Sequence, residues 1–175
     1  VTALAQPVDT SYDDRVTTVV LVDTSASMPD AALKQATAHI NEIRRTADGD
    51  DQVEIFGFAD RAYRIDVPTD SDSTEFEALN SIPRPSAENR LQTDIAGALR
   101  RTFGAFPPDH IKRVVLLSDG NQTRGQLLEE VARAVDFGID ISTYTLDYEP
   151  RRDVFITSVD GPSETRLTDE QTLAV

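Results

Sequence analysis

Three short segments of this sequence offer oxygen donors at the ends of apolar runs: Asp23-Thr24-Ser25-Ala26-Ser27, Gln92-Thr93-Asp94 and Asp119-Gly120-Asn121. Hydroxyls and carboxylates with no His or Cys among them suit a hard divalent cation such as Mg2+, Mn2+ or Ca2+ better than zinc. Taken singly, each also has an ordinary use. Asp23 and Asp119 can cap loops at strand ends, and Ser25, Ser27 and Thr93 can serve as turn or helix-cap residues. The choice depends on whether the chain brings the three segments together.

The elements around them predict that it does. Val16 to Val22 is a near-continuous β-branched run, the signature of a strand buried on both faces of a parallel sheet. Leu33, Ala36, Ile40 and Ile43 recur at helical spacing behind Pro29, which predicts a helix over about 29–46. Residues 52–59 and 63–67 are strand-like runs with too few residues between them for a crossover, so the second runs antiparallel at an edge. Thr74 and Glu77 form a capping-box pattern for a short helix carrying Phe76, Leu79 and Ile82. Ile95, Leu99, Thr102, Phe103 and Phe106 mark another helix, and Arg113 to Ser118 a further buried strand. Thr123 and Gln126 cap a helix expected to turn Leu127, Leu128, Val131 and Val135 inward; Gly138 ends it and a strand follows over 139–146.

This order predicts an α/β fold: a doubly wound, mostly parallel open sheet with one antiparallel edge strand and helices on both faces. Ligands of such sheets bind at the carboxyl ends of the strands where the winding reverses. Here the reversal falls between the strand ending at Asp23 and the strand ending at Ser118, and the helix entered through Thr93 reaches the same edge.

Val20-Leu-Val-Asp-Thr-Ser-Ala-Ser-Met28 resembles the Asp-x-Ser-x-Ser motif of von Willebrand factor type A (vWA) domains. Thr93 in Leu91 to Leu99 resembles the second-loop threonine of that family, and Asp119 in Val114 to Gly120 its third-loop aspartate. The resemblance covers about residues 15–147. It implies a Rossmann-like vWA fold and a metal-ion-dependent adhesion site (MIDAS) with Asp23, Ser25, Ser27, Thr93 and Asp119 as the metal set. It also implies a partner, another protein or a neighbouring domain of the same parent chain, that supplies an acidic residue to the metal shell. The two aspartates then act largely through water, and the ion stays electrophilic.

A net charge of −14 argues against nucleic acid as a partner. The absence of Cys excludes disulfides and thiolate sites. A metal-assisted hydrolase using Asp23 or Ser25 is the alternative in a different class, but it needs a base nearby. His39 sits mid-helix, and His110 precedes a central strand, about 20 Å from the strand's other end. Asp94 is expected to cap its helix.

The expected organisation is a lead-in segment over 1–14, the vWA domain over 15–150, and a C-terminal extension over 151–175. In that extension Asp153 to Asp160 alternates weakly, either as an edge strand of the same sheet or as the start of a following β domain. A longer vWA domain would continue with another helix, strand and helix. The parent is expected to be larger, with membrane-spanning segments outside this chain and the domain facing away from the cytoplasm.

Overall fold

The computed structural model describes residues 15–67 and 77–146. Along the chain run β1 (Val16–Asp23), α1 (Asp30–Thr46), β2 (Gln52–Phe58), β3 (Ala62–Arg64), α2 (Ile95–Thr102), β4 (Ile111–Ser118), α3 (Leu127–Asp136) and β5 (Ile139–Thr145), with short 3-10 turns at Ala87–Arg90 and Phe103–Ala105. The sheet order is β3-β2-β1-β4-β5; only the β2–β3 pairing is antiparallel. The expected fold class is the observed one, with β1 central and the winding reversing between β1 and β4.

The alternation of β1 supplies both halves of the core. Val20 and Val22 pack with Met28, Ala32, Leu33, Ala36 and Ile40 of the α1 side. Val19 and Leu21 pack with Ile95, Ala98 and Leu99 of α2 and Ala134 of α3 on the other. Successive strand side chains point to opposite faces, so an unbroken apolar run is what a strand covered on both sides requires.

Two local expectations are corrected. Residues 77–82 are not helical, although Leu79 and Ile82 are buried, packed on the α1 side. Asn41 of α1 clamps the Leu79 backbone instead, accepting from its N–H at 2.8 Å and donating to its carbonyl at 2.9 Å. The prolines at 83 and 85 also push the residues before them towards extended backbone. The earlier part of that segment, 68–76, lies outside the described residues, as do the lead-in over 1–14 and the extension over 151–175.

The second correction concerns α3. It begins at Leu127, and Thr123 does not cap it. Glu130 and Ala134 are its buried residues, while Leu128 is 84% and Val135 66% exposed. Glu130 binds Arg100 of α2 through Oε1 at 3.0 Å and Arg133 at 3.2 Å. An inward carboxylate held by two guanidiniums sets the rotation of this helix, an outcome that a hydrophobic pattern alone does not encode.

Candidate metal centre

The three oxygen-bearing segments meet at the C-terminal edge of the sheet, where hydrogen bonds knit them to one another. β1 ends on Asp23, which is fully buried. Its Oδ1 accepts the Ser25 N–H at 2.9 Å, a turn that an Asx side chain closes on its own backbone. Its Oδ2 accepts the Ser118 hydroxyl at 3.0 Å. The Ser25 and Ser27 hydroxyls lie 2.9 Å apart, Ser25 buried and Ser27 exposed. Met28, buried in the core, anchors the far end of this first loop.

The end of β2 ties the first loop to the second. Phe58 O accepts both the N–H and the hydroxyl of Thr24, at 2.8 and 2.9 Å, and Ala59 O accepts the Asp94 N–H at 2.9 Å. Asp94 caps α2 as expected, with Oδ1 accepting from Gly97 N at 2.7 Å. Gly97 and Gly125 flank that carboxylate so closely that a Cβ at either would collide with it. The second loop is tied in turn to the third. Thr93 is buried, its N–H donates to Thr123 Oγ1 at 2.8 Å, and its carbonyl accepts the Thr123 and Arg124 N–H groups at 3.1 and 3.3 Å.

The third loop closes the ring. Ser118, which donates to Asp23, also accepts the Gly120 N–H at 3.0 Å, and Asp119 Oδ1 accepts the Asn121 N–H at 2.9 Å. Gly120 has φ +83, a left-handed conformation that glycine adopts without steric cost. Of the five expected site residues, Asp23, Ser25 and Ser27 share one hydrogen-bonded loop and Asp119 is close enough to Asp23 to act on its charge. Thr93 is held at the same edge through its backbone.

Burial pushes the Asp23 carboxyl above its ordinary value; the hydrogen bonds from Ser25 and Ser118 oppose this, and the neighbouring charge of Asp119 adds to it. Among the described residues no Lys, Arg or His pairs with Asp23. A buried carboxylate beside a second one, with hydroxyls around them, is an arrangement that a divalent cation completes, so the donor set fits such an ion. No group of three or more His, Cys, Asp or Glu side chains placed to hold a metal ion occurs among the described residues; three of the five expected site residues carry hydroxyls. The histidines stand apart. His110 is buried with Nδ1 2.7 Å from Thr17 Oγ1, at the start of β1, and His39 packs on Tyr144 with ring centroids 4.0 Å apart.

Sequence reading missed the residues that support the ligand loops. Ser118 was visible as the polar end of an apolar run just before Asp119. Thr123 was read as a helix cap instead of as the acceptor for the Thr93 N–H, and nothing in the sequence marked the Asp94 cradle of Gly97 and Gly125, or Tyr63, whose hydroxyl lies 3.1 Å from Thr24 Oγ1.

A family model described as von Willebrand factor type A domain matches residues 18–122. No curated protein matches the chain. Among solved structures it is similar to the conserved hypothetical protein BatB from Bacteroides thetaiotaomicron, with TM-score 0.61 and 24% identity over 73% of this chain and 65% of that one. It is also similar to an aerotolerance-related membrane protein from Bacteroides fragilis, with TM-score 0.57 and 16% identity over 91% and 81%. A third is proximal thread matrix protein 1 from the mussel byssus with a zinc-occupied MIDAS motif, with TM-score 0.59 and 18% identity over 76% and 38%. The chain thus spans just under two thirds of the BatB chain and well under half of the mussel protein.

Proposed function

Because this chain belongs to the von Willebrand factor type A domain family, we propose that it is a metal-dependent protein-binding module that holds one divalent cation through Asp23, Ser25, Ser27, Thr93 and Asp119. The observation that carries the reading is the buried Asp23 carboxylate, with no cationic side chain paired to it among the described residues, hydrogen-bonded into a loop whose two serine hydroxyls lie 2.9 Å apart. Ser25, Ser27 and Thr93 would hold the ion, and Asp23 and Asp119 would balance its charge. The bound cation supplies an electrophilic centre for one further oxygen ligand. A Glu or Asp of a protein partner, or of a neighbouring domain of the same parent, provides that ligand.

Mg2+ is the favoured ion, with Mn2+ and Ca2+ as alternatives, because every donor is a hard oxygen. The mussel relative holds zinc in its motif, so Zn2+ belongs in the titration. Domains of this family generally act as adhesion or scaffold modules. The absence of a histidine beside the centre also weighs against the hydrolase alternative with Asp23 or Ser25 as nucleophile. A membrane-anchored parent is part of the same proposal. It draws on the similarity to the aerotolerance-related membrane protein from Bacteroides fragilis, and no helix among the described residues is long and apolar enough to cross a membrane.

Isothermal calorimetry of the chain with each metal, beside Thr93→Ala and Asp119→Ala, tests the site. One saturable Mg2+ or Mn2+ site, weakened in both variants while their circular dichroism stays unchanged, is expected. Equal affinity in all three proteins overturns the assignment. Metal-dependent phosphatase or esterase turnover lost on Asp23→Asn would favour the hydrolase.

A further inference from the structure

Beside the first loop lies a cleft of about 340 Å3 lined by Arg61, Tyr63, Pro83, Arg84, Pro85 and Asn89, within the range of ligand-binding clefts. A glycine shapes one wall. Tyr63 pairs with Gly57 across β2 and β3, and its ring occupies the space a Cβ at Gly57 would need. The ring can therefore lie across β2, donating from its hydroxyl to Pro83 O at 2.6 Å and standing 3.1 Å from Thr24 Oγ1. Thr24 is the residue between Asp23 and Ser25, so this wall touches the loop that carries the first of the proposed ligands.

The charge of the cleft is opposite to that of the chain. Against a net −14, its two ionic residues are both arginines. Arg61 is 89% exposed, and its one ionic contact is a 3.9 Å approach to Asp60, a carboxylate that Arg124 already engages at 2.9 Å. Arg84 spends Nη2 on the Met28 carbonyl and on Asp30, at 3.2 Å from the latter. Asp30 is 91% exposed and so a weakly held partner. Among the described residues Arg84 Nη1 has no partner, while its Nε is buried and also unpartnered, so Nη1 and the exposed Arg61 guanidinium are the donors open to a ligand. Guanidinium donors left uncommitted beside an aromatic ring and two prolines recognise a carboxylate by charge-assisted, forked hydrogen bonds.

We propose that this cleft is a second subsite, which takes a second carboxylate of the acidic partner segment whose first carboxylate completes the metal shell. The proposal rests on the reading of the metal centre given above. Along an extended segment, which advances about 3.3–3.6 Å per residue, the preferred separation of the two acids is set by the distance from the metal centre to the two arginines, and peptides of graded separation measure it. The net charge would repel such a segment at a distance, and the local arginines reverse that at the site. Specificity then lies in the spacing of two acids rather than in one.

The test uses the whole 175-residue chain saturated with Mg2+. Fluorescein-labelled Gly/Ser peptides, carrying either one Glu or two Glu at graded separations, are titrated by fluorescence anisotropy, with Mg2+ binding followed separately by calorimetry. The expected result is that two Glu at one preferred separation bind about tenfold more tightly than one Glu. Arg61→Ala and Arg84→Gln should each remove most of that advantage while leaving the one-Glu affinity and the Mg2+ calorimetry unchanged. If Arg84→Gln disturbs folding, Arg61→Glu carries the test alone. Equal affinity for both peptide types, no binding of either to the Mg2+-loaded chain, or an advantage that survives Arg61→Glu overturns the subsite. Failure of Mg2+ itself to bind overturns the metal reading and takes the subsite with it, so the two failures are told apart.

Discussion

The two edges of the one sheet bury polar side chains for opposite ends. At the N-terminal edge, Thr17 and His110 satisfy each other at 2.7 Å, and Val16 N–H donates to Asp51 at 2.8 Å. At the C-terminal edge, Asp23 is as deeply buried and also hydrogen-bonded, yet among the described residues its charge has no cationic side-chain partner, and a second carboxylate stands near it. A paired polar group under a sheet costs little, whereas an unpaired charge costs much unless a ligand compensates it. On the proposed reading, the first edge is structural and the second is the functional one.

The largest effect should come from removing the charge at the functional edge. Mg2+ at about 100 times its dissociation constant should stabilise the wild-type chain by about 2.7 kcal/mol, a rise of several degrees in Tm. Asp23→Asn should abolish that rise in differential scanning calorimetry, while its metal-free Tm stays at or above that of the metal-free wild type, because a poorly solvated charge has been removed. A full Mg2+ shift in the variant would erase the distinction between the edges.

At the structural edge, Thr17→Val keeps the shape but leaves the His110 ring nitrogen without its partner. It should cost about 1–3 kcal/mol in chemical denaturation and leave Mg2+ affinity untouched. Loss of metal affinity there would show that the edges are coupled. Ser118→Ala sharpens the contrast from the other side. It removes a hydrogen bond that orients Asp23 and should weaken Mg2+ about tenfold in calorimetry, with a smaller stability loss than Thr17→Val.

The smallest expected effect is that of Tyr63→Phe, about 0.5–1.5 kcal/mol from its lost hydroxyl contacts. Burial raises the Tyr63 hydroxyl above its ordinary value, offset in part by the Thr24 hydrogen bond and by Arg84. Its contribution is therefore fully present below the ordinary tyrosine value and is lost as pH rises through the raised folded value. Urea midpoints measured across that alkaline range should fall more steeply for wild type than for Tyr63→Phe, and parallel curves would contradict the assignment.

Much of this was legible in the residues themselves. The unbroken apolar run of β1 required a strand covered on both faces, and the short link between β2 and β3 required an antiparallel edge. Together with the helices these place the ends of β1 and β4 side by side, so the meeting of the loops that carry the five proposed metal residues was legible from type and position. Pattern reading failed where one polar side chain outweighed a propensity. Asn41 holds Leu79 in a non-helical segment, and Glu130 turns α3 so that Leu128 faces outward.

Local sequence thus determined which residues have the chemistry and which strand ends carry them, because strand alternation and link length are properties of neighbours along the chain. Only the tertiary structure decided what lies beside those residues. The bond from Ser118 to Asp23 spans 95 positions, that from Tyr63 to Thr24 spans 39, and that from Thr123 to the Thr93 N–H spans 30. Separations of this size are set by how the strands are ordered in the sheet, and no periodicity in a single segment records them. The burial that leaves Asp23 without a cationic side-chain partner among the described residues, and the pairing of Gly57 with Tyr63 that shapes the cleft next to Thr24, exist only once the strands have paired.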